Sequence, residues 1–219
     1  PFFDSVGTVI PLSASANNAT ICAGATSTLT ANATGGTGTI TYTWVSGPTS
    51  NVNTVTPTAT AVYTVDVTDA NNCAATSTVE VTVNTLPTIS VNSGSICAGQ
   101  SFTMVPTGAS TYTYSNGTDV VTPSANDSYT VTGTDANGCV SATGAVSTVT
   151  VNALPVLTAV TNNTLLCVGQ TATLSVSGAT TYTWNTTENT ASIAVSPTVQ
   201  TTYTVNGTDA NGCSNNTTV

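Results

Sequence analysis

Polar and apolar residues alternate in short runs along most of this chain. Leu29, Met104 and Leu174 alternate with polar neighbours, as do Tyr42 with Trp44, and Tyr63 with Val65 and Val67. A period of two places such side chains on one face of a half-buried strand. No stretch combines helical spacing of apolar residues with caps. Asn-Gly at 137–138 and 211–212 is a strong hairpin signal, because both turn positions tolerate positive φ. The pattern predicts an all-β chain of antiparallel sandwiches with seven or so short strands per ~70 residues.

Those sandwiches repeat. "ICAGATSTLTANATG", "ICAGQSFTMVPTGAS" and "LCVGQTATLSVSGAT" align, followed by "TYTW", "TYTY" and "TYTW". "AVYTVDVTDANNC", "DSYTVTGTDANGC" and "TTYTVNGTDANGC" come next, and "NTLP" and "NALP" separate the copies. A period of about 70 residues suits small domains in tandem better than one solenoid. The expected boundaries are 13–86, 87–154 and 155–219, with 1–12 as an N-terminal extension. Pro87 and Pro155 suit entry to an edge strand or a linker.

Charge narrows the function. The 219 residues hold nine acidic groups and no Lys, Arg or His, a net charge of −9. Nucleic-acid binding lacks its cationic footprint, and an acidic membrane surface would repel the chain. No apolar run approaches the ~18 residues of a membrane span. A Ser or Thr nucleophile has no ordinary general base, and the carboxylates are scattered rather than paired. Asp69, Asp135 and Asp209 recur at equivalent positions, as a turn would require, and offer too few ligands for calcium. The expectation is a protein without catalysis, cofactor or metal. The aromatic pairs Tyr42/Trp44, Tyr112/Tyr114 and Tyr182/Trp184 also recur, which favours core packing over a sugar-stacking platform.

Six cysteines, at 22, 73, 97, 139, 167 and 213, fall two to a repeat. An even count at regular spacing, with neither CxxC nor His partners for a metal, reads as disulfides made in an oxidising compartment. The expected pairs lie within each copy: Cys22–Cys73, Cys97–Cys139 and Cys167–Cys213.

The combined pattern C-x-G-Q, Y-T-W, T-Y-T-V-x-x-T-D-A-N-G-C and V-T-V-N-x-L-P covers residues 13–219. It resembles the PKD-like/Ig-like repeats of very large secreted surface proteins of gliding-type Gram-negative bacteria. That resemblance implies stalks, adhesin segments or spacers at the cell surface, with no catalytic residues to carry over.

The two ends complete the reading. Counted from the cysteines, Val219 corresponds to Val79, so the third copy lacks partners for Val81 and Val83. "GTVIP" leads into the first copy as "VNTLP" and "VNALP" lead into the others. Residues 1–10 therefore occupy the position of a last strand, and Phe2 and Phe3 have no equivalent in the repeats. The expectation is a self-assembling extracellular fibre, with Phe2, Phe3, Val6, Val9 and Ile10 of one chain laid as a donor strand beside Val219 of another. The rivals are an adhesin or carbohydrate-binding stalk that presents a ligand surface, and spacer repeats of a larger secreted protein.

Overall fold

The computed structural model describes residues 11–219; the extension residues Phe2, Phe3, Val6, Val9 and Ile10 lie outside the described residues. The described chain is all-β and immunoglobulin-like in its sandwich architecture, with 19 strands. Among the described residues no helix is long and apolar enough to cross a membrane.

In the first repeat the strands are β1 (Ser13–Ala16), β2 (Ala19–Cys22), β3 (Ser27–Thr34), β4 (Thr41–Trp44), β5 (Val52–Val55), β6 (Ala61–Thr68) and β7 (Ala74–Asn84). One sheet runs β1-β3-β5 and the other β2-β7-β6-β4. Alternation decides which face is covered: β3 buries Leu29 and Ala31 while Thr28 and Thr30 stay exposed. These side chains meet Trp44, Val65, Val67, Val79 and Val81 in one core. Each such side chain contributes about 1.5–3 kcal/mol by leaving water. Strand β2 sets where the first cysteine stands. It pairs parallel with the far end of β7, Ala19 opposite Val81 and Cys22 opposite Asn84.

The second repeat contains β8 (Gly94–Cys97), β9 (Phe102–Thr103), β10 (Thr111–Tyr114), β11 (Val120–Val121), β12 (Asp127–Thr134) and β13 (Ala145–Asn152). Its larger sheet runs β10-β12-β13-β8, and β8 again lies parallel to the end of β13, Cys97 opposite Asn152.

The third repeat has β14 (Thr158–Thr161), β15 (Ala172–Ser177), β16 (Thr181–Trp184), β17 (Ser192–Val195), β18 (Thr204–Thr208) and β19 (Ser214–Thr218). Its sheets run β14-β15-β17 and β16-β18-β19. Among the described residues, Thr164–Cys167, the counterpart of β2 and β8, forms no strand. The last ladder contact of β19 is the mutual backbone pair of Val219 and Tyr203, at 2.8 and 2.9 Å.

By contacts the described chain divides into two compact units. One takes residues up to Ile89 with Gly108–Tyr112 and Thr132–Thr143; the other takes Ser90–Thr107, Thr113–Val131 and Gly144–Val219. The division falls within the second repeat, and each disulfide lies inside one unit.

The cysteine pairing corrects the sequence expectation. The bonds are Cys22–Cys139 and Cys97–Cys213, each with Cα atoms 5.5 Å apart, and Cys73 and Cys167 are free. The intra-copy pairs Cys22–Cys73, Cys97–Cys139 and Cys167–Cys213 do not form, and β7 supplies the reason. Cys73 precedes its first residue while Cys22 faces its last, ten residue steps and about 33 Å away at strand rise. A disulfide needs Cα atoms within about 7 Å. Cys22 and Cys97 thus stand at the far end of the last strand of their own copies, bonded to the turn before the last strand of the next copy.

Candidate assembly interface

Two features of the repeats stand out: the turn that carries each second cysteine, and a groove on one side of the third repeat.

The turn is the same three times. The Oδ1 of Asp69 accepts from the backbone N–H of Asn71 and of Cys73, each at 2.9 Å. Asp135 does so from Asn137 and Cys139, and Asp209 from Asn211 and Cys213. Asn72, Gly138 and Gly212 take positive φ at the corner. These carboxylates are occupied as turn formers, and among the described residues no group of three potential metal ligands gathers. Asp69 is 5 % exposed, and its Oδ2 also accepts from the N–H (2.9 Å) and hydroxyl (3.2 Å) of Thr37. The Thr37 N–H is the largest cause holding its pKa below the ordinary value; desolvation opposes it, and the Cys73 and Asn71 N–H groups add to the lowering. A depressed folded pKa gives stability that is full above the ordinary carboxylate range and is lost as pH falls through the folded value. Asp69→Asn is therefore expected to lower the melting temperature of the first repeat at neutral pH. The gap to the parent chain should close on acidification below that range. Melting curves across pH check it, and a gap that persists at low pH would refute the ionic part.

At the other pole, the first cysteines share a second turn. Gly24, Gly99 and Gly169 have φ of 80°, 86° and 89°. The N–H groups of Ala25, Gln100 and Gln170 bond back to the carbonyls of Cys22, Cys97 and Cys167, each at 3.0 Å. In the first two copies the neighbouring N–H groups of Ala23 and Ala98 reach Asn84 and Asn152, at 2.9 and 2.8 Å. In the second and third copies the Gln100 and Gln170 side chains also accept from the Cys97 and Cys167 N–H groups, at 3.2 and 3.0 Å.

Beside that turn lies an open groove of about 540 Å³. Its walls are the 164–168 segment and the 197–203 segment, with Leu174, Val195 and Val219 at the base. In the first repeat the counterparts of those walls, β2 and the start of β6, hold the far end of β7 between them. The groove thus lies at the position where the first repeat holds the far end of β7. Its lip is apolar and wet: Leu165 is 84 % exposed, Val168 82 % and Val199 73 %. Leu166 is partly buried against the core, as its counterpart Ile21 is in the first repeat, whereas Ile96 is buried. Of the interface residues expected from the sequence, Val219 lines this groove. The first-strand residues lie outside the described part. Sequence reading missed Leu165, Leu166 and Val199, although "TLLC" in place of "ATIC" and "GSIC" marks an extra apolar residue there.

The aromatic pairs serve the cores. Trp44 and Trp184 are buried, and each indole N–H donates to a backbone carbonyl, Ser50 at 3.0 Å and Thr190 at 2.9 Å. The hydroxyls of Tyr112 and Tyr182 bond the backbone of Ala109 and Ala179.

No protein-family model matches the chain, and no curated protein matches it in sequence. Solved structures with some likeness are multi-domain β proteins. The N-terminal eight Ig domains of Down syndrome cell adhesion molecule align over 96 % of this chain at 11 % identity and TM-score 0.34. This chain spans just under half, 47 %, of that one. A structure from a 1.5-MDa bacterial ice-binding adhesin aligns at 18 % identity and TM-score 0.36, covering 95 % of this chain and 96 % of that one. A Ca2+-stabilized adhesin of an Antarctic bacterium aligns at 18 % identity and TM-score 0.45, covering 96 % and 72 %. The fold assignment rests on the strand pairing of the three repeats.

Proposed function

We propose that this chain is a non-catalytic structural subunit of an extracellular filament whose copies join head to tail by strand donation. The observation that carries this reading is the groove between residues 164–168 and 197–203, which lies where the first repeat holds the end of β7 and is lined with exposed apolar side chains. The occupant is residues 2–10 of a second copy. That segment precedes β1 as the ends of β7 and β13 precede β8 and β14, and it carries Phe2, Phe3, Val6, Val9 and Ile10. A strand there pairs parallel with 164–167 and antiparallel with 200–203, as β7 does with β2 and β6. Nine residues span ~30 Å, the length of a small sandwich. Three apolar side chains transferred from water contribute several kcal/mol, at about 1.5–3 kcal/mol each, besides the ladder hydrogen bonds. Because the donor and acceptor sites differ, the contact does not close and the assembly grows as an open filament. Two disulfides between successive repeats fit an oxidising, extracellular setting.

The alternative of a carbohydrate-binding stalk draws on exposed aromatic platforms. The indoles of Trp44 and Trp184 are buried and offer no such platform, while the tyrosines are half-buried.

Deletion of residues 1–10 tests the proposal. Negative-stain microscopy should show filaments for the full chain and none for the deletion variant. A synthetic peptide of residues 1–10 should bind the variant one to one and raise the melting temperature of its third repeat. A full chain that stays monomeric at high concentration, or a peptide that does not bind, overturns it.

A further inference from the structure

The two cystines obey one rule: the first cysteine of a repeat bonds the second cysteine of the next repeat. Within these three repeats that rule pairs four of the six sulfurs, and the two it leaves over are the two free cysteines. Cys167 is the first cysteine of the third repeat, and Cys73 the second of the first. We infer that Cys167 of one copy forms an intermolecular disulfide with Cys73 of the next copy, so that an unbroken series of inter-repeat cystines runs along the filament. The inference rests on the head-to-tail succession of the proposed filament, though not on which strand fills the groove.

Local geometry supports it at both sulfurs. Cys73 sits in the same Asp-centred turn as Cys139 and Cys213, with its N–H on Asp69 and its carbonyl accepting from the Asp69 N–H at 3.0 Å. Cys167 sits in the same glycine turn as Cys22 and Cys97, its carbonyl bonded by the Gln170 N–H at 3.0 Å. The turn backbone beside each free sulfur matches that beside its bonded counterparts, while 164–167 lacks the strand that carries Cys22 and Cys97. Burial marks what is missing. Cys139 and Cys213 are 0 % exposed once bonded to the preceding repeat, whereas Cys73 and Cys167 are exposed. Two exposed thiols on a chain that otherwise pairs its cysteines across repeats are matched halves of one more junction. Cys167 also lies in the segment that forms one wall of the groove, so a copy seated there brings its own first repeat to the sulfur.

The bond-forming step balances by thiol–disulfide exchange. One thiolate attacks a disulfide-bearing oxidant and displaces one of its thiols. The second thiolate then attacks the resulting mixed disulfide and releases the other thiol. Two protons and two electrons leave the protein pair, and the oxidant becomes a dithiol.

Complementary variants of the full chain test it in a buffer of oxidised and reduced glutathione. Cys73→Ser keeps only the tail thiol and Cys167→Ser only the head thiol. Each alone should stay a single chain on non-reducing gels, their mixture should give one covalent dimer, and the parent chain a ladder. Mass mapping of a mixture of 15N-labelled and unlabelled parent chains should find Cys73–Cys167 peptides with one heavy and one light half. Homodimers forming as readily as the mixed dimer, or a Cys73–Cys167 link confined within single chains, overturns the inference. Filaments with both thiols free under these conditions defeat the cystine but leave strand donation standing. A ladder that survives deletion of residues 1–10 defeats strand donation but leaves the cystine.

Discussion

Trp184→Ala should destabilise the third repeat by about 3–5 kcal/mol, enough to unfold it before the rest of the chain. The side chain is 2 % exposed and packs with Leu174, Ile193 and Val205 in a core of only seven buried residues. Its removal opens a cavity and leaves the Thr190 carbonyl without the indole N–H that now reaches it. A sandwich of this size buries little apolar surface and has a correspondingly small margin, so the loss is comparable with its whole stability. Trp44 then remains as the sole tryptophan and reports on the first repeat. In urea titrations the Trp44 emission midpoint should hold its place while the circular-dichroism transition splits in two. A single unshifted transition would refute the prediction.

Gly178→Ala comes next in size, with an expected cost above about 4 kcal/mol. Gly178 has φ of +105°, and a methyl group built on it would overlap the backbone carbonyl oxygen of Val156, where the chain enters the third repeat. Gly108 repeats the arrangement against the carbonyl of Thr88. A backbone atom cannot swing aside as a flexible side chain can. Gly212 provides the control. It also has positive φ, +80°, but nothing lies within 4 Å of the added carbon, so Gly212→Ala should cost only about 1–2 kcal/mol of left-handed strain. Similar melting temperatures for the two variants would show that the close approach to Val156 is unimportant.

Much of this was legible in the residues. Alternation over Tyr63, Val65 and Val67 marked β6, because only one face of that strand meets the core. Threefold recurrence of Asp69, Asp135 and Asp209 marked the turns, because a carboxylate that caps two N–H groups is needed wherever the same corner recurs. The cysteine pairing was not legible. Two cysteines per copy at similar positions fit bonds within copies and bonds between successive copies equally well. The deciding fact is the parallel placement of β2 against the far end of β7, a long-range pairing with no local signature. The apolar lip of the groove, at Leu165, Val168 and Val199, came only with the fold.

The cystines also overlap along the chain, since Cys97 lies between Cys22 and Cys139, and Cys139 between Cys97 and Cys213. Pulled from both ends, the molecule would transmit load along the shortest covalent route: up to Cys22, across to Cys139, back to Cys97, across to Cys213. That route contains roughly 70 residues of chain, at most about 3.4 Å each. Even with every sandwich unravelled, the oxidised protein could therefore lengthen to only about a third of the contour its reduced form would reach, so its cystines act as a tether that stops a stretched thread from running out.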